Sequence, residues 1–249
     1  KLDGKGALLL DGVNDWAELP ADLLDGLQDI TLETWVEWGG PSTSSWQTLF
    51  ALSKDNSSYL SFSPRAGTSP RNSRFALACK GPEKKVNGKD AFPTGTVVHV
   101  VTILDSAKQQ LRLYIDGILQ GTSLCSYSLE SLGVRNVWLG KPLYVQFPFF
   151  KGRVLEFRIY DEAFTEVQVA RSGRFGADDL PGPAISSFVA SRNPVRSGSS
   201  VNLSWEALEG AKVEITPGGT GKLAASGTID VTIAGTTEFI LKATNEDGE

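Results

Sequence analysis

Two glutamates in the stretch LETWVEW, Glu33 and Glu37, are the residues whose type and spacing come nearest to acid–base chemistry. Hydrolysis of a glycosidic bond uses two carboxyl groups, about 5–5.5 Å apart for retention and about 6.5–9.5 Å apart for inversion. Residues four apart in a regular strand share a face, but their backbones lie roughly 13 Å apart. The spacing therefore suits a catalytic pair poorly, and we interpret both as exposed strand carboxylates.

The chain has one histidine, His99, and two cysteines, Cys79 and Cys125. A zinc site needs clustered ligands such as a CxxC pair, so the sequence argues against one. A serine triad would have to use His99, which lies in the apolar run TVVHVVTILD, and none is expected. The cysteines either form a disulfide, as in exported proteins, or remain two separate buried thiols.

The segment DGVND offers three oxygen-bearing side chains within five residues, namely Asp11, Asn14 and Asp15. Calcium binds six to eight oxygens from carboxylates, amides and carbonyls, so this segment is a candidate calcium site with Asp15 as the foremost side-chain ligand. The EF-hand pattern is missing. The alternative is a hairpin turn at Asp11-Gly12 that Asp15 orders through local backbone hydrogen bonds.

An unusually apolar stretch, PLYVQFPFFKG (142–152), carries the candidate ligand-binding aromatics Tyr144, Phe147, Phe149 and Phe150. Exposed apolar clusters mark interaction surfaces. The stretch has three alternative interpretations: a platform for a glycan or a partner, residues that complete the core, or an interface between domains. Trp46, where a Ser-rich loop meets a strand, joins the ligand-binding candidates. The remaining tryptophans are predicted to lie in the core: Trp16, Trp35, Trp38, Trp138 and Trp205.

A basic loop, SPRAGTSPRNSR, contains Arg65, Arg71 and Arg74. Arginine suits bidentate recognition of anions, so this loop can be read as a clamp for an acidic sugar or sulfate. Charged loops are more often merely solvated. The net charge of −5 argues against a nucleic-acid partner, and no apolar stretch is long enough to span a membrane.

Alternation of apolar and polar residues dominates the chain and predicts an all-β fold. Asp116-Gly117 predicts a tight hairpin, because such turns need positive φ. The one predicted helix lies in FTEVQVARSGRFG, where Thr165 and Gln168 have capping-box spacing and Gly173 is the expected end. The Gly- and Pro-rich stretch at 177–183 predicts a linker, after which the strand pattern restarts over 184–249.

Six motifs, in order along residues 1–176, make the first part of the chain resemble the laminin-G-like, concanavalin-A-like jelly-roll family. The C-terminal part is similar to bacterial immunoglobulin-like domains, through ISSFVAS, SGSSVNLSWEAL and TTEFILKATNEDG. The six motifs are ALLLDGVNDWAELP, ITLETWVEW, VVHVVTILD, LRLYIDGILQG, VWLGKP and FKGRVLEFRIYDEAFTEVQV.

The resemblance implies a two-sheet antiparallel jelly-roll sandwich over 1–176 and a smaller, truncated immunoglobulin-like sandwich over 184–249. It also implies that His99 packs and hydrogen-bonds, and that a structural calcium is possible near the first hairpin. Hydrolases of this fold carry an Asp between their two Glu residues, and Trp35 stands there in this sequence.

The function implied is a non-catalytic binding or adhesion module, with carbohydrate as its foremost ligand. A structural spacer or protein–protein module is the alternative, and a glycoside hydrolase is third. The absence of Met and the start at Lys1 predict a fragment of a larger exported or cell-surface protein, extracellular or periplasmic, whose further domains are partners.

Overall fold

The computed structural model describes residues 2, 6–41, 46–69, 71–177, 185–207, 212–218 and 223–244. The chain divides into two compact units, Lys1–Leu180 and Pro181–Glu249. The domain assignment made from the sequence remains a prediction. Apart from residue 177, the predicted linker lies outside the described residues.

The described part of the first unit contains twelve strands and two α-helices, with a 3₁₀ turn at Ala21–Leu24. The strands are β1 (Leu8–Asp11), β2 (Ala17–Leu19), β3 (Ile30–Trp38), β4 (Phe50–Asp55), β5 (Ser58–Ser63), β6 (Arg74–Cys79), β7 (Lys84–Asn87), β8 (Val97–Asp105), β9 (Gln110–Ile115), β10 (Ile118–Leu124), β11 (Asn136–Leu139) and β12 (Lys151–Tyr160). The helices are α1 (Leu129–Leu132) and α2 (Glu166–Phe175).

These strands form two six-stranded sheets whose neighbours are all antiparallel. The first sheet has the order β1-β12-β3-β8-β9-β10 and the second the order β2-β11-β4-β5-β6-β7. Side chains alternate across each strand, so every second residue of both sheets enters one shared core. The all-β jelly-roll prediction is confirmed for this unit.

The core between the sheets is built around four completely buried phenylalanines, Phe50, Phe62, Phe75 and Phe150. Phe50 and Phe62 stack with ring centroids 5.9 Å apart. Truncation of such a ring to Ala costs about 3–5 kcal/mol, since both its apolar area and its close packing are lost. The phenylalanines therefore contribute strongly to holding the two sheets together.

The hairpin between β9 and β10 has the predicted two-residue turn. Asp116 and Gly117 both adopt positive φ, 51° and 74°, and Ile115 pairs with Ile118 across the turn. Helix α2 has the predicted capping box between Thr165 and Gln168. It continues through Gly173, however, and ends at Gly176, whose φ is 81°.

Helix α2 covers the outer face of the first sheet. Val169 of the helix and Phe164 before it pack on Val101, Ile103 and Tyr114 of β8 and β9. Strand β8 is therefore buried on both faces for most of its length, which explains why its sequence is almost continuously apolar.

A buried polar network joins this helix to the sheet and overturns the expectation that Glu33 is exposed. The Glu33 side chain is fully buried, and Ser172 and Tyr160 donate to its Oε2 over 2.8 and 2.9 Å. His99 Nε2 lies 2.8 Å from Oε1, and Arg158 Nη1 lies 3.5 Å from Oε2. The carboxylate therefore sits between two strands and the helix.

Arg158 and His99 make further contacts between the helix and this face. Arg158 Nη2 donates to the carbonyls of Gly176 and Ala177, over 3.2 and 2.9 Å, and so holds the end of α2. His99 stacks on Trp35 at 4.3 Å. A Cβ on Gly173 would lie 3.2 Å from the His99 ring, so this glycine permits the close approach of the helix instead of ending it.

Cys79 and Cys125 are free thiols in the structure. Cys79 Sγ lies 3.3 Å from the carbonyl of Ser131, and Cys125 is almost completely buried. Burial raises the pKa of the Cys125 thiol. Of the two alternatives left open by the sequence, the structure has the separate thiols.

The described part of the second unit has five strands in two sheets around one apolar core. The core contains Val201, Leu203, Trp205, Val213 and Ile215. No helix in the described segments is long and apolar enough to cross a membrane. The strands are β13 (Ile185–Ala190), β14 (Ser199–Ala207) and β16 (Ser226–Ile233) in one sheet, and β15 (Lys212–Thr216) and β17 (Ile240–Thr244) in the other.

We expect Glu33→Ala to lower the free energy of unfolding by about 3–5 kcal/mol, because it leaves the buried Arg158 guanidinium, and the buried Ser172 hydroxyl, without their carboxylate. Glu37→Ala is the matched control in the same strand. Its half-exposed ion pair with Arg153, 3.1 Å, should contribute less than about 1 kcal/mol. Urea denaturation of both variants tests this, and equal losses would contradict it.

The stability that Glu33 contributes should also depend on pH. Burial by itself would raise the pKa of Glu33, but hydrogen bonds from His99, Ser172 and Tyr160 outweigh it and hold the pKa below its ordinary value. A lowered pKa stabilises the fold above the unfolded-state pKa, about 4.3, and this contribution is lost as the pH falls through the folded-state value.

Denaturation of the wild type and Glu33→Gln from about pH 7 down to about pH 3 measures this contribution. The difference in stability between the two proteins should shrink toward the acid end. A difference that stays constant over the whole range would show that the carboxylate's charge is not what stabilises the fold.

Candidate functional site

The outer face of the second sheet carries a row of small residues. On β5 and β6, Leu60, Phe62, Phe75 and Leu77 enter the core, and the residues between them point outward. Register places Ser61 between Ala51 of β4 and Ala76 of β6. Short side chains at the middle of this face leave room above the sheet.

The loop that connects β11 to β12 crosses this face. Its Leu143 packs on the outer side of the sheet in a cluster that includes Ala51, Tyr59, Ala76 and Ala78. A turn follows, in which Phe147 N–H donates to the Tyr144 carbonyl over 2.9 Å.

The loop thereby separates the four aromatics predicted to bind ligand. Phe150 is completely buried in the core between the sheets, so its ring has no face for a ligand, and we withdraw it from the candidate set. Phe149 is half-buried and is not among the residues lining the pocket described below. Tyr144 and Phe147 lie over the sheet.

Tyr144 and Phe147 meet Trp46 at a pocket of about 240 Å³. The Phe147 ring lies 6.3 Å from that of Trp46 and 5.7 Å from that of Tyr144, edge-on to the latter. Three of the five aromatics predicted from sequence are thus brought together. The polar lining includes Thr48, Ser61 and Ser63.

Two charged residues and a tyrosine form the polar end of this pocket. Arg74 is 7% exposed, donates from Nε to Asn87 Oδ1 over 2.9 Å, and holds its guanidinium 5.1 Å from the Trp46 ring centroid. Glu83 Oε2 accepts from the Tyr59 hydroxyl over 2.7 Å. Burial raises the pKa of the Tyr59 hydroxyl far above its ordinary value, and the hydrogen bond to Glu83 adds a smaller increase.

A second hollow adjoins the first along the same face. Tyr59, Glu83 and Tyr144 line both, and the second adds Asn56 and Lys80. The two hollows form one continuous groove, here called the outer-face groove. Aromatic and polar side chains line both parts of it.

Gly67 determines where Trp46 lies. A Cβ at this position would collide with the indole ring at Nε1 and Cδ1, so the ring packs directly against the glycine backbone. This contact could not be predicted from the sequence, because Gly67 stands in a loop among ordinary turn residues.

The other end of the crossing loop is held by Lys141. Its Nζ lies 3.7 Å from the ring centroid of Trp16 and 3.9 Å from that of Trp138. Both tryptophans are partly exposed, so the expectation that they lie in the core is wrong. Trp138 donates to Glu18 over 3.2 Å, and the pair of indoles anchors the loop by cation–π contacts.

The predicted calcium segment forms a turn organised by Asp11. Asp11 Oδ1 accepts from the backbone N–H groups of Val13, Asn14 and Asp15 over 2.8, 3.1 and 3.2 Å, and these bonds lower the pKa of Asp11. Asp11, not Asp15, therefore orders the turn. Among the described residues no group of three or more His, Cys, Asp or Glu side chains is placed to hold a metal. Calcium binding remains a prediction.

Glu33 and Glu37 do not form a catalytic pair across a cleft. The carboxylate of Glu33 is enclosed by its network under helix α2, and that of Glu37 pairs with Arg153. His99 packs and hydrogen-bonds as the resemblance implied.

Sequence reasoning missed Tyr59, Glu83 and Lys141, and it placed Arg74 in an anion-binding loop. Arg74 instead begins β6, and Arg65 and Arg71 do not line the groove. The alternation in SYLSFS and RFALAC was the available signal for Tyr59 and Arg74, since it leaves those side chains on the outer face.

We expect Gly67→Val to displace the Trp46 ring without unfolding the domain. The indole Nε1–H resonance of Trp46, assigned by its loss in Trp46→Phe, should shift in a ¹⁵N–¹H spectrum while the other indole resonances stay in place. Gly235→Ala is the control, because nothing lies within 4 Å of its added Cβ. An unmoved Trp46 resonance would contradict the contact.

Three solved structures illustrate what the chain is similar to. Domain 4 of AbnA, a GH43 extracellular arabinanase from Geobacillus stearothermophilus, in complex with arabinotriose, is 23% identical over 66% of this chain and 75% of that one, with a TM-score of 0.56. The CBM40 of the Ruminococcus gnavus IT-sialidase, bound to alpha2,3 sialyllactose, is 16% identical over 66% of this chain and 95% of that one, with a TM-score of 0.53.

The leech intramolecular trans-sialidase is 16% identical, and the match covers 83% of this chain but only 33% of that one, with a TM-score of 0.52. At these identities the likeness establishes the fold. No curated protein sequence matches the chain significantly. Residues 11–170 match the sequence model Laminin_G_3, which describes the concanavalin A-like lectin/glucanases superfamily, and the chain belongs to that family.

Proposed function

We propose that the first unit is a non-catalytic carbohydrate-binding module that holds a glycan in the outer-face groove. The observation that carries the proposal is the convergence of Trp46, Tyr144 and Phe147 with Arg74 and Glu83 around one pocket. Sugar rings present apolar C–H faces and a rim of hydroxyls. A site for them therefore combines aromatic surface with a few well-placed polar groups.

The groove favours binding over hydrolysis. Cleavage of a glycosidic bond needs two carboxyl groups that flank it. Glu83 is the single Asp or Glu among the described residues that line the two hollows. Two of the similar structures support a binding role, since one is a CBM40 bound to a sialylated sugar and the other an arabinanase domain in complex with arabinotriose.

The proposal extends to setting and organisation. The module acts outside the cell or at its surface as part of a larger protein, as the extracellular arabinanase domain does. The second unit serves as an immunoglobulin-like neighbour. Its two sheets around Trp205 support that assignment.

Trp46→Ala and Tyr144→Ala should each lower the binding of the purified chain to its positive glycans on an array by about tenfold or more, because each removes aromatic contact area from the centre of the site. Val145→Ser is the matched control, since Val145 is the neighbour of Tyr144 in the same loop and is 98% exposed. It should leave binding unchanged.

Circular dichroism and thermal unfolding of each variant show whether it is folded. A folded wild type that binds no glycan would refute the proposal. Binding that survives both aromatic substitutions would place the glycan elsewhere on the molecule.

A further inference from the structure

We infer that the outer-face groove selects neutral sugars, and that the charge pair Arg74–Glu83 makes the selection by binding one hydroxyl group that bridges its two members. This inference rests on the proposed function and specifies its ligand class. It departs from the reading of the arginine-rich loop as a clamp for acidic sugars.

Two neighbouring residues hold Arg74 in place, and its Nη1 faces Glu83. Its Nε is committed to Asn87, its neighbour across β6 and β7, and its guanidinium is buried against Trp46. Nη1 lies 3.7 Å from Glu83 Oε1, which is longer than a hydrogen bond. The two groups attract each other electrostatically but do not meet as donor and acceptor.

The carboxylate of Glu83 is also held in a defined orientation. The Tyr59 hydroxyl donates to Oε2 over 2.7 Å, and the raised pKa of Tyr59 keeps the phenol protonated as that donor. Lys85 Nζ lies 3.9 Å from Oε1 at the exposed edge. The carboxylate is therefore fixed in direction before any ligand arrives, with Oε1 turned toward Arg74.

A sugar hydroxyl that lies beside this pair, within hydrogen-bond distance of both groups, suits it because a hydroxyl can accept and donate at once. It can accept from Arg74 Nη1 and donate to Glu83 Oε1, so both charged groups gain a hydrogen bond and neither loses its partner. Hydrogen bonds to charged groups are about twice as strong as those between neutral groups. The donor and acceptor of the protein thus match one hydroxyl.

A carboxylate or sulfate suits it poorly. Such a group can only accept, so it would bond to Arg74 while lying beside Glu83 with the same sign of charge, and like charges in contact are strongly unfavourable. Among the described residues of the first hollow, the charges of the one Arg and the one Glu cancel. Lys80 lines only the second hollow, and Lys85 contacts Glu83 without lining either hollow.

The test is a glycan array of matched pairs, in which each neutral oligosaccharide is printed beside a carboxylated or sulfated derivative, such as lactose and 3′-sialyllactose. The wild type should bind the neutral member of the pairs it recognises more tightly. Glu83→Gln, which removes the negative charge, should shift the acidic-to-neutral binding ratio by about tenfold toward the acidic member. Glu37→Gln, on the other sheet, is the control and should leave the ratio unchanged.

The outcomes separate the inference from the function on which it rests. Tighter binding of acidic members by the wild type, or an unchanged ratio in folded Glu83→Gln, overturns the selection of neutral sugars while the carbohydrate-binding function stands. A folded wild type that binds neither member overturns both.

Discussion

The burial of one carboxylate, that of Glu33, is the constraint on which the first unit depends. A charge without solvent must be met by partners, and its partners here come from different elements: His99 from β8, Arg158 and Tyr160 from β12, and Ser172 from helix α2. Satisfying the carboxylate therefore fixes the helix on the first sheet. The helix therefore covers Val101, Ile103 and Tyr114 on that face of the sandwich.

The candidate site lies on the outer face of the second sheet, which no helix of the described residues covers. The outer side of the second sheet carries Ala51, Ser61 and Ala76 at its middle, where larger side chains would fill the space. The crossing loop supplies the aromatic wall. It is fixed at one end by Lys141 between two indoles and at the other by Phe150 in the core, so Tyr144 and Phe147 are presented by a fixed loop.

Hydrogen bonds within the protein orient the polar groups of the groove before a ligand binds, so they define the site as much as its shape does. Arg74 and Glu83 are each oriented by a neighbour, Asn87 and Tyr59, that is itself part of the sheet face or its edge. Groups that are already oriented lose little freedom when a ligand binds, so modest contacts suffice for recognition. The same arrangement connects ligand chemistry to strand register, because a slip of one residue in β6 would turn Arg74 into the core.

Local alternation and turn chemistry were enough to predict the all-β class, the Asp116-Gly117 hairpin, the capped helix and the motifs of the family. It also singled out Trp46, Tyr144 and Phe147. It could not separate them from Phe150, since a run of aromatics does not show which ring faces inward. The folded chain was needed to show that Glu33 is buried, that Trp16 and Trp138 hold Lys141, and that Tyr59, Arg74 and Glu83 meet. Each of these contacts joins segments that are distant in sequence or lie on different strands, and their proximity is set by strand register and by the path of one loop.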